Sequence, residues 1–267
     1  RKCPVAYTPC LVGLEGDPET PVEIAPFSCS QDDAIPANMT FAAKLCLSPP
    51  FNEIAPKWES AIGHVLPPSL DEADVGEVGG YGALLPVSWQ RICHDPELQN
   101  SDLNPQVIVL SDALQLAARP SLLSEALHTI RLRFPGALLW TPGIGGPDNA
   151  AVLTWMGVDI FDLCRSRQSL SQGAILTADG ARMPEDTLGE VADEVSMISQ
   201  WEGELANVRR ALRDGTLRDL VEKRIANSPR LVEHLRYHDK LTAESEHTFL
   251  ASVVPEDRRL QCNTFAS

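Results

Sequence analysis

The stretch ALLWTPGIGGPDNAAVLTWMGVDIFDLCRSRQSLSQGAILTADG, from Ala137 to Gly180, decides the fold class of this chain. Its pattern predicts a strand at 137–140, a glycine-rich loop, a helix with proline in its first turn, and a second strand that ends in Asp162. A strand, a helix and a strand in this order imply parallel pairing through a right-handed crossover. In enzymes built from such repeats, strand ends carry the chemistry because they deliver side chains to one rigid face.

A second repeat precedes this one. The run QVIVL at 106–110 is continuously apolar, as expected of a strand covered by helices on both faces, and Ser111 and Asp112 follow it. A helix is predicted at 121–134, where Pro135-Gly136 ends it. Two successive units of this kind fit either a (β/α) barrel or an open, doubly wound sheet.

The C-terminal part has a different pattern. Apolar residues recur at helical spacing over 190–240, and Asp214-Gly215 interrupts them. The sequence therefore predicts a (β/α) domain over 1–189 and a helical C-terminal extension over 190–267. Between the strands and the helices, 173–180 is predicted to form a short hairpin with a turn at Asp179-Gly180.

Composition excludes several classes of protein. The chain has 267 residues, of which 43% are hydrophobic and 22% charged, as in an ordinary globular protein. No apolar run approaches the roughly 20 residues of a membrane helix, and no secretory signal is visible, so a cytoplasmic protein without membrane contact is expected. The seven cysteines form no C-x-x-C pair. That scatter argues against a disulfide framework and against a structural zinc site.

Charge is distributed unevenly. The net charge of −15 disfavours nucleic-acid binding over the whole surface, but arginine is concentrated in the C-terminal third. Two interpretations stay open there: solvated helices with ion pairs, or a local phosphate-binding face. His234 and His238 stand four residues apart on a predicted helix and could share a metal. Because no third ligand is in view, they are expected to form a surface pair.

The loop TPGIGGP and Asp162 are the first candidates for chemistry. Glycine has no Cβ, so backbone N–H groups in this loop could approach a ligand; a tight turn without a ligand is the alternative. Asp162 could act as a nucleophile or general base at its strand end. Its alternative is an aspartate that caps a helix or forms a salt bridge. Arg165 and Arg167 follow directly and suit a phosphate or carboxylate clamp, or are exposed loop cations.

Three segments carry a resemblance to a known family. Residues 143–147 with the following helix, GVDIFD at 157–162 and LTADG at 176–180 resemble the tRNA-guanine transglycosylase superfamily. VIVLSDA at 107–113 and the tail at 204–224 are similar to its archaeal branch, in particular to the transglycosylase-like N-terminal part of archaeosine synthases. The resemblance implies a TIM-like (β/α) barrel whose relatives exchange a guanine in tRNA for a deazapurine base.

The resemblance also implies roles for individual residues. Asp162 matches the aspartate that captures the ribose C1′, which makes it the expected catalytic residue. The residues expected to bind the base or substrate are Asp112, Gly143, Gly145 and Gly146. The residues expected to bind tRNA are Arg165, Arg167, Arg209, Arg210 and Arg213.

The sequence departs from the family pattern in three places. No cysteine lies between residues 180 and 201, so the family's zinc site is expected to be absent, and no metal or other cofactor is predicted. Asp162 comes early in the chain and no Asp-Ser-Gly-Gly-like segment precedes it, so a shortened or open barrel is expected. The downstream archaeosine synthase motif is missing, which fits one piece of a larger assembly or a decayed paralogue.

These observations predict a transglycosylase-like protein of archaeosine (7-deazaguanine) tRNA modification, a component or homologue of archaeosine synthase. It would be a pentosyltransferase if its site is active. The alternatives are a non-catalytic scaffold that binds tRNA or a partner, and an unrelated barrel enzyme for a phosphorylated small molecule. The expected partners are tRNA, a deazapurine base, the remaining archaeosine synthase modules or a partner subunit, and a second copy in a homodimer.

Overall fold

In the computed structural model of the protein, residues 7–13, 22–25, 39–40, 84–99, 105, 107–110, 112–183 and 192–244 are described. The expected domain boundary at residue 189 and the last part of the expected extension, 245–267, lie outside these residues. In the part that is described, no helix is both long and apolar enough to span a membrane.

Seven of the described strands form one parallel sheet. In chain order they are β1 (Cys10–Gly13), β2 (Val22–Ala25), β3 (Met39–Thr40), β4 (Leu84–Val87), β5 (Val107–Leu110), β6 (Leu138–Trp140) and β7 (Ile160–Phe161). Their order across the sheet is β3-β2-β1-β7-β6-β5-β4. Ile160 therefore pairs with Trp140 on one side and with Cys10 on the other.

The strand order gives the direction in which the sheet is wound. From β1 to β3 the chain advances toward one edge, and from β4 to β7 it advances in the same direction until β7 meets β1. Right-handed crossovers that advance in one direction place their helices on one face of the sheet. A doubly wound sheet instead reverses direction at a switch point, and this order contains no such reversal among the described strands. The fold is α/β with a parallel sheet, as predicted.

Helices follow the strands and extend beyond them. They are α1 (Trp89–His94), α2 (Pro96–Gln99), α3 (Ala113–Leu116), α4 (Pro120–Arg133), α5 (Ala150–Trp155), α6 (Cys164–Ser171), α7 (Glu194–Asp214), α8 (Leu217–Arg224), a 3-10 turn (Ile225–Asn227) and α9 (Pro229–Glu244). The hairpin predicted at 173–180 is confirmed as β8 (Ile175–Thr177) and β9 (Gly180–Arg182).

The predicted boundaries of three helices can be compared with the structure. The helix expected at 121–134 is confirmed within one residue at each end, and Gly215 ends α7 in the left-handed conformation with φ of 71°. The helix expected directly after the glycine loop begins later than predicted, at Ala150. The delay has a local cause, because Asn149 uses its side chain to bridge the loop and so closes a turn before the helix.

The C-terminal helices share one hydrophobic core with the sheet. Helix α9 packs on α4, α8 packs on α5, and α7 packs on both α5 and α6. Trp201 on α7 is fully buried, with its ring centroid 5.6 Å from that of Phe161 on β7, and its Nε1 donates to Ser166 Oγ at 2.8 Å. The α7–α9 region is therefore held to the sheet by apolar packing.

A buried ion pair joins α7 to α8. Arg224 Nε donates to Glu204 Oε1 at 2.8 Å, and Nη2 donates to Oε2 at 2.7 Å, while the Glu204 side chain is 0% exposed. Arg224 Nη1 also reaches Asp179 in the hairpin turn at 3.2 Å. Two parallel charge-assisted bonds satisfy both carboxylate oxygens, which compensates the cost of burying them.

Arg224→Met is expected to lower the free energy of unfolding by about 3–5 kcal/mol, because it leaves a buried carboxylate without its counter-charge. Adding Glu204→Leu should restore most of that loss, since the uncompensated charge is then gone. Urea denaturation measures both variants. The exposed Arg218–Glu222 pair is the control: Glu222→Gln should change stability by less than about 1 kcal/mol. A large loss in the double variant would contradict this account.

Candidate functional site

Parallel strands bring their carboxyl ends to one edge of the sheet, and polar residues follow four of them there. These residues are Ser88 after β4, Asp112 after β5, Thr141 after β6 and Asp162 after β7. The sequence singled out Asp112 and Asp162 among them. In the structure the Asp112 carboxylate accepts from the backbone N–H of Trp89, at 3.2 Å to Oδ1 and 3.0 Å to Oδ2. Asp112 thus ties the end of β5 to the start of α1.

Asp162 is buried, and both of its carboxylate oxygens accept hydrogen bonds. Its Oδ2 accepts from Trp140 Nε1 at 2.9 Å and from the Gly143 backbone N–H at 3.0 Å. Its Oδ1 accepts from the Cys164 backbone N–H at 3.0 Å, where α6 begins. The residue is 1% exposed. The carboxylate therefore connects β6, the glycine loop and the start of α6, and a negative charge at a helix start is favoured by the helix dipole.

The glycine loop, residues 141–147, turns its amide groups inward. Gly143 adopts a positive φ of 74°, which suits glycine, and its N–H points to Asp162. The Gly146 N–H donates to Asn149 Oδ1 at 2.8 Å, and Asn149 Nδ2 donates to the Ile144 carbonyl at 2.9 Å. These two amides therefore bind other groups of the protein itself. This agrees with the alternative given above, in which the loop is a tight turn without a ligand.

Gly145 and Gly146 are needed for close approach rather than for their backbone angles. A Cβ on Gly145 would lie 2.6 Å from Phe161 Cδ1 and 3.4 Å from the Trp201 ring. A Cβ on Gly146 would collide with the Arg165 guanidinium and the Asp148 carboxylate. The loop lies directly against these side chains, which explains why residues 141–148 are all buried.

Gly145→Ala is expected to destabilise the protein by about 1–3 kcal/mol, because the added methyl group overpacks the Phe161 and Trp201 rings. Gly203→Ala is the matched control. Gly203 is exposed within α7 and nothing lies within 4 Å of an added Cβ, so the change should stabilise by about 0.5–1 kcal/mol. The midpoints of urea unfolding compare the two. Equal effects of both substitutions would rule out a packing role for Gly145.

Arg165 forms an ion pair beside the glycine loop. Its guanidinium makes two hydrogen bonds to the carboxylate of Asp148, with Nη2 to Oδ2 at 2.7 Å. Asp148 follows the glycine loop and is buried. Arg167 lies on the same helix, α6, and is half-buried. Arg165 does bind a carboxylate, as a guanidinium is suited to do, but this carboxylate is that of Asp148 and not that of a ligand.

The three tail arginines expected to bind tRNA lie in different environments on α7. Arg209 is half-buried, and its Nη1 donates to the carbonyls of Pro9 at 3.0 Å and Tyr7 at 3.3 Å; burial lowers its pKa. Arg210 is exposed and donates to Asn207 Oδ1 at 2.9 Å. Arg213 is exposed and makes no hydrogen bond or ion pair within the part of the chain that the structure describes.

Sequence patterns missed several residues that hold this region together. At the amino ends of β6 and β7, Arg131 from α4 donates to the Ala137 carbonyl at 2.7 Å, to the Gly157 carbonyl, and to Asp159. Asp159 Oδ2 also accepts from the Leu139 N–H at 2.9 Å. Asp159 therefore connects β6 and β7 at their amino ends, whereas Asp162 connects them at their carboxyl ends. No sequence signal pointed to Arg131, because its partners lie up to 28 residues further along the chain.

The expected surface pair of histidines is wrong. His234 and His238 are both buried, because the face of α9 that carries them packs on α4 rather than facing solvent. Within the described ranges, no three His, Cys, Asp or Glu side chains come together in a way that could hold a metal ion. The absence of a zinc site stays a prediction.

The fold and the strand-end site together define a class: an α/β protein whose parallel strands end in a glycine loop and a buried aspartate. No protein-family model matches the chain. It is 27% identical over 173 residues to archaeosine synthase of Haloferax volcanii, which covers 58% of this chain and 28% of that protein. It is 29% identical over 191 residues to archaeosine synthase subunit alpha of Methanosarcina acetivorans, covering 62% and 29% respectively.

These similarities relate the chain to archaeosine synthase and confirm the resemblance seen in its sequence. The chain spans less than a third of the length of the relatives it matches.

Proposed function

We propose that this chain acts in archaeosine tRNA modification as a tRNA-binding module and that it lacks transglycosylase chemistry of its own. The tRNA and the pathway are inferred from the relatives named above. The environment of the Asp162 carboxylate is the observation that supports a structural rather than a catalytic role for this residue.

A nucleophilic carboxylate needs a free lone pair about 3 Å from the carbon it attacks, along an open path. Asp162 is 1% exposed, and three donors approach its two oxygens from three different segments. Hydrogen bonds to the charged form also stabilise the ground state, which makes the oxygen a poorer nucleophile. These features favour a carboxylate that organises the strand ends.

The strand order supports a further part of the proposal, closure of the sheet into a TIM-like barrel. The first strand pairs with both the second and the last strand of the sheet, as neighbours do around a ring. Closure would require β3 and β4 to be joined, directly or through further strands, and the chain between them lies outside the described residues. The proposed barrel would place Asp112, the glycine loop and Asp162 around its mouth.

The transglycosylase alternative also has a specific observation in its favour. Asp162 stands directly after β7, at the carboxyl edge where such enzymes place reacting groups, with the glycine loop beside it. In that case the carboxylate would attack the ribose C1′, the bond to the guanine would break, and the guanine would leave before an incoming base took its place.

Incubation of the full chain with tRNA and a deazapurine nitrile base, followed by a denaturing gel, separates the two functions. The proposal expects no covalent protein–tRNA band, with binding retained on a native gel. Asp162→Asn should destabilise the fold by at least about 2 kcal/mol, because its amide group presents a donor to other donors. A covalent band that native protein forms and folded Asp162→Asn does not would establish Asp162 as the nucleophile.

The exposed arginines of α7 are expected to contribute to tRNA binding. Arg213→Glu should weaken binding to tRNA of any sequence and reduce the slope of log affinity against log salt by about 1, because one phosphate contact is lost. Arg91→Glu on α1 makes the same charge change elsewhere and is the control. Arg209→Gln should instead lower stability, since its guanidinium holds the Tyr7 and Pro9 carbonyls. Equal loss of binding in the Arg213 and Arg91 variants would point to net charge alone.

A further inference from the structure

Three histidines are buried where α9 packs on α4. His128 lies on α4, and His234 and His238 lie one turn apart on α9. Their exposed fractions are 7%, 5% and 3%. Leu231 and Leu235 of α9 are buried beside them in the core. These three residues, called the histidine cluster below, therefore occupy positions that an apolar helix contact would normally give to leucine or valine.

Burial and the lack of an acceptor at Nδ1 favour the neutral form of the cluster. In the part of the chain that the structure describes, each of the three Nδ1 atoms is buried without a hydrogen-bond partner. His234 Nε2 lies 3.3 Å from the Ala117 carbonyl, and because a carbonyl only accepts, Nε2 carries the proton. A second proton would create an Nδ1–H donor with no acceptor, at the cost of burying an unsatisfied charged group.

The charges around His238 do not compensate for its protonation. His128 faces it from α4 and would repel it when charged, and Arg218 faces it from α8. The nearby carboxylate, Asp239, already accepts from Arg218 Nη1 at 2.8 Å. Burial is the largest cause that lowers the pKa of His238, to about 4, and the repulsion from His128 comes next.

The pKa values of the other two histidines are shifted in the same direction. Burial lowers the pKa of His128 and of His234. For His234 the hydrogen bond with the Ala117 carbonyl opposes this lowering of the pKa, as does Glu233 on α9, whereas Arg230 adds to it.

Helix α1 also packs on α4, and the polar groups of α4 that face it already have partners there. There, α1 contacts α4 through Trp89 Nε1, which donates to Glu125 at 2.8 Å, and through Cys93 Sγ, which lies 3.6 Å from Thr129 Oγ1. The indole thus already engages the carboxylate of Glu125.

We propose that the contact between α4 and α9 is a pH-sensitive latch: protonation of the histidine cluster releases α9 while the parallel sheet stays folded. Helix α9 packs mainly on α4 and the 3-10 turn, so it can detach without breaking a strand pairing. Release uncovers the apolar face of α4 and frees the Ala117 carbonyl. Ala117 is the C-cap of α3, whose N-cap is Asp112, so this short helix connects the latch to the carboxyl end of β5.

The sign of the effect follows from linkage. In the released state each histidine titrates near 6.5, whereas in the docked state its pKa is lower. The released state therefore binds more protons, and docking is fully stable above about pH 6.5 and weakens as the pH falls toward 4. From the two pKa values of His238 alone, about 6.5 and about 4, docking should weaken about 30-fold between pH 7.5 and pH 5.

Hydrogen–deuterium exchange of the full chain, corrected for intrinsic exchange rates, tests this at about pH 7.5 and pH 5. Protection of the α9 amides should fall about 30-fold relative to that of the β5 amides. His238→Gln should abolish most of the fall, and His128→Gln should reduce it by removing the repulsion. His94→Gln, at an exposed position on α1, is the matched control and should leave the fall unchanged.

Two results would overturn the latch. One is a parallel loss of protection in α9 and β5, which would mean that the whole fold responds to acid. The other is an undiminished fall in His238→Gln or in His128→Gln, measured on a variant that folds. Because the two variants sit on opposite helices, either one that folds is sufficient for the comparison.

Discussion

The carboxylate of Asp162 lies where β6, the glycine loop and α6 meet, and its hydrogen bonds are what join these segments. A charged group in the interior is tolerated only when hydrogen-bond donors surround it. Burying the Asp162 carboxylate therefore requires the Trp140, Gly143 and Cys164 donors together. The aspartate thus constrains three separate pieces of backbone at once. The positive φ of Gly143 accompanies this arrangement, because its N–H points to the carboxylate, and the next residues pack closely enough that Gly145 has no room for a Cβ beside Phe161.

Short strands explain why such an interaction is needed. In this structure β7 has two residues and β6 has three, and they share a single register pair, Trp140 with Ile160. So few ladder bonds give little stability by themselves. The amino ends are therefore closed by the pair of Arg131 and Asp159, and the carboxyl ends by Asp162. Two aspartates three residues apart clamp the same two strands from opposite ends, which is possible because they flank a strand of two residues.

The sequence was informative wherever structure depends on near neighbours. Apolar runs located the central strands, and Asp214-Gly215 located the end of α7. It failed where a partner lies far along the chain: Trp140 and Asp162 are 22 residues apart, and Arg131 and Asp159 are 28 apart. Charge alone does not reveal whether an arginine faces solvent or a buried carboxylate. His234 and His238 were misplaced for the same reason, because helical spacing gives a face but does not say what covers it.

The proposed scaffold function has a physical consequence for how tRNA could be held. The Gly143 amide is bound to Asp162 and the Gly146 amide to Asn149, so neither amide is left for a ligand, and the proposal assigns tRNA binding to the surface. The chain carries a net charge of −15, so a polyanion is repelled at long range and attracted only at local clusters of cations. Arg213 and Arg210 form one such place on α7, but Arg209 is committed to holding the N-terminal segment. Affinity that depends on a few exposed cations is inherently weak in a negative field. A tRNA-binding module of this kind would therefore gain affinity mainly from the number of exposed cations that reach phosphate at the same time.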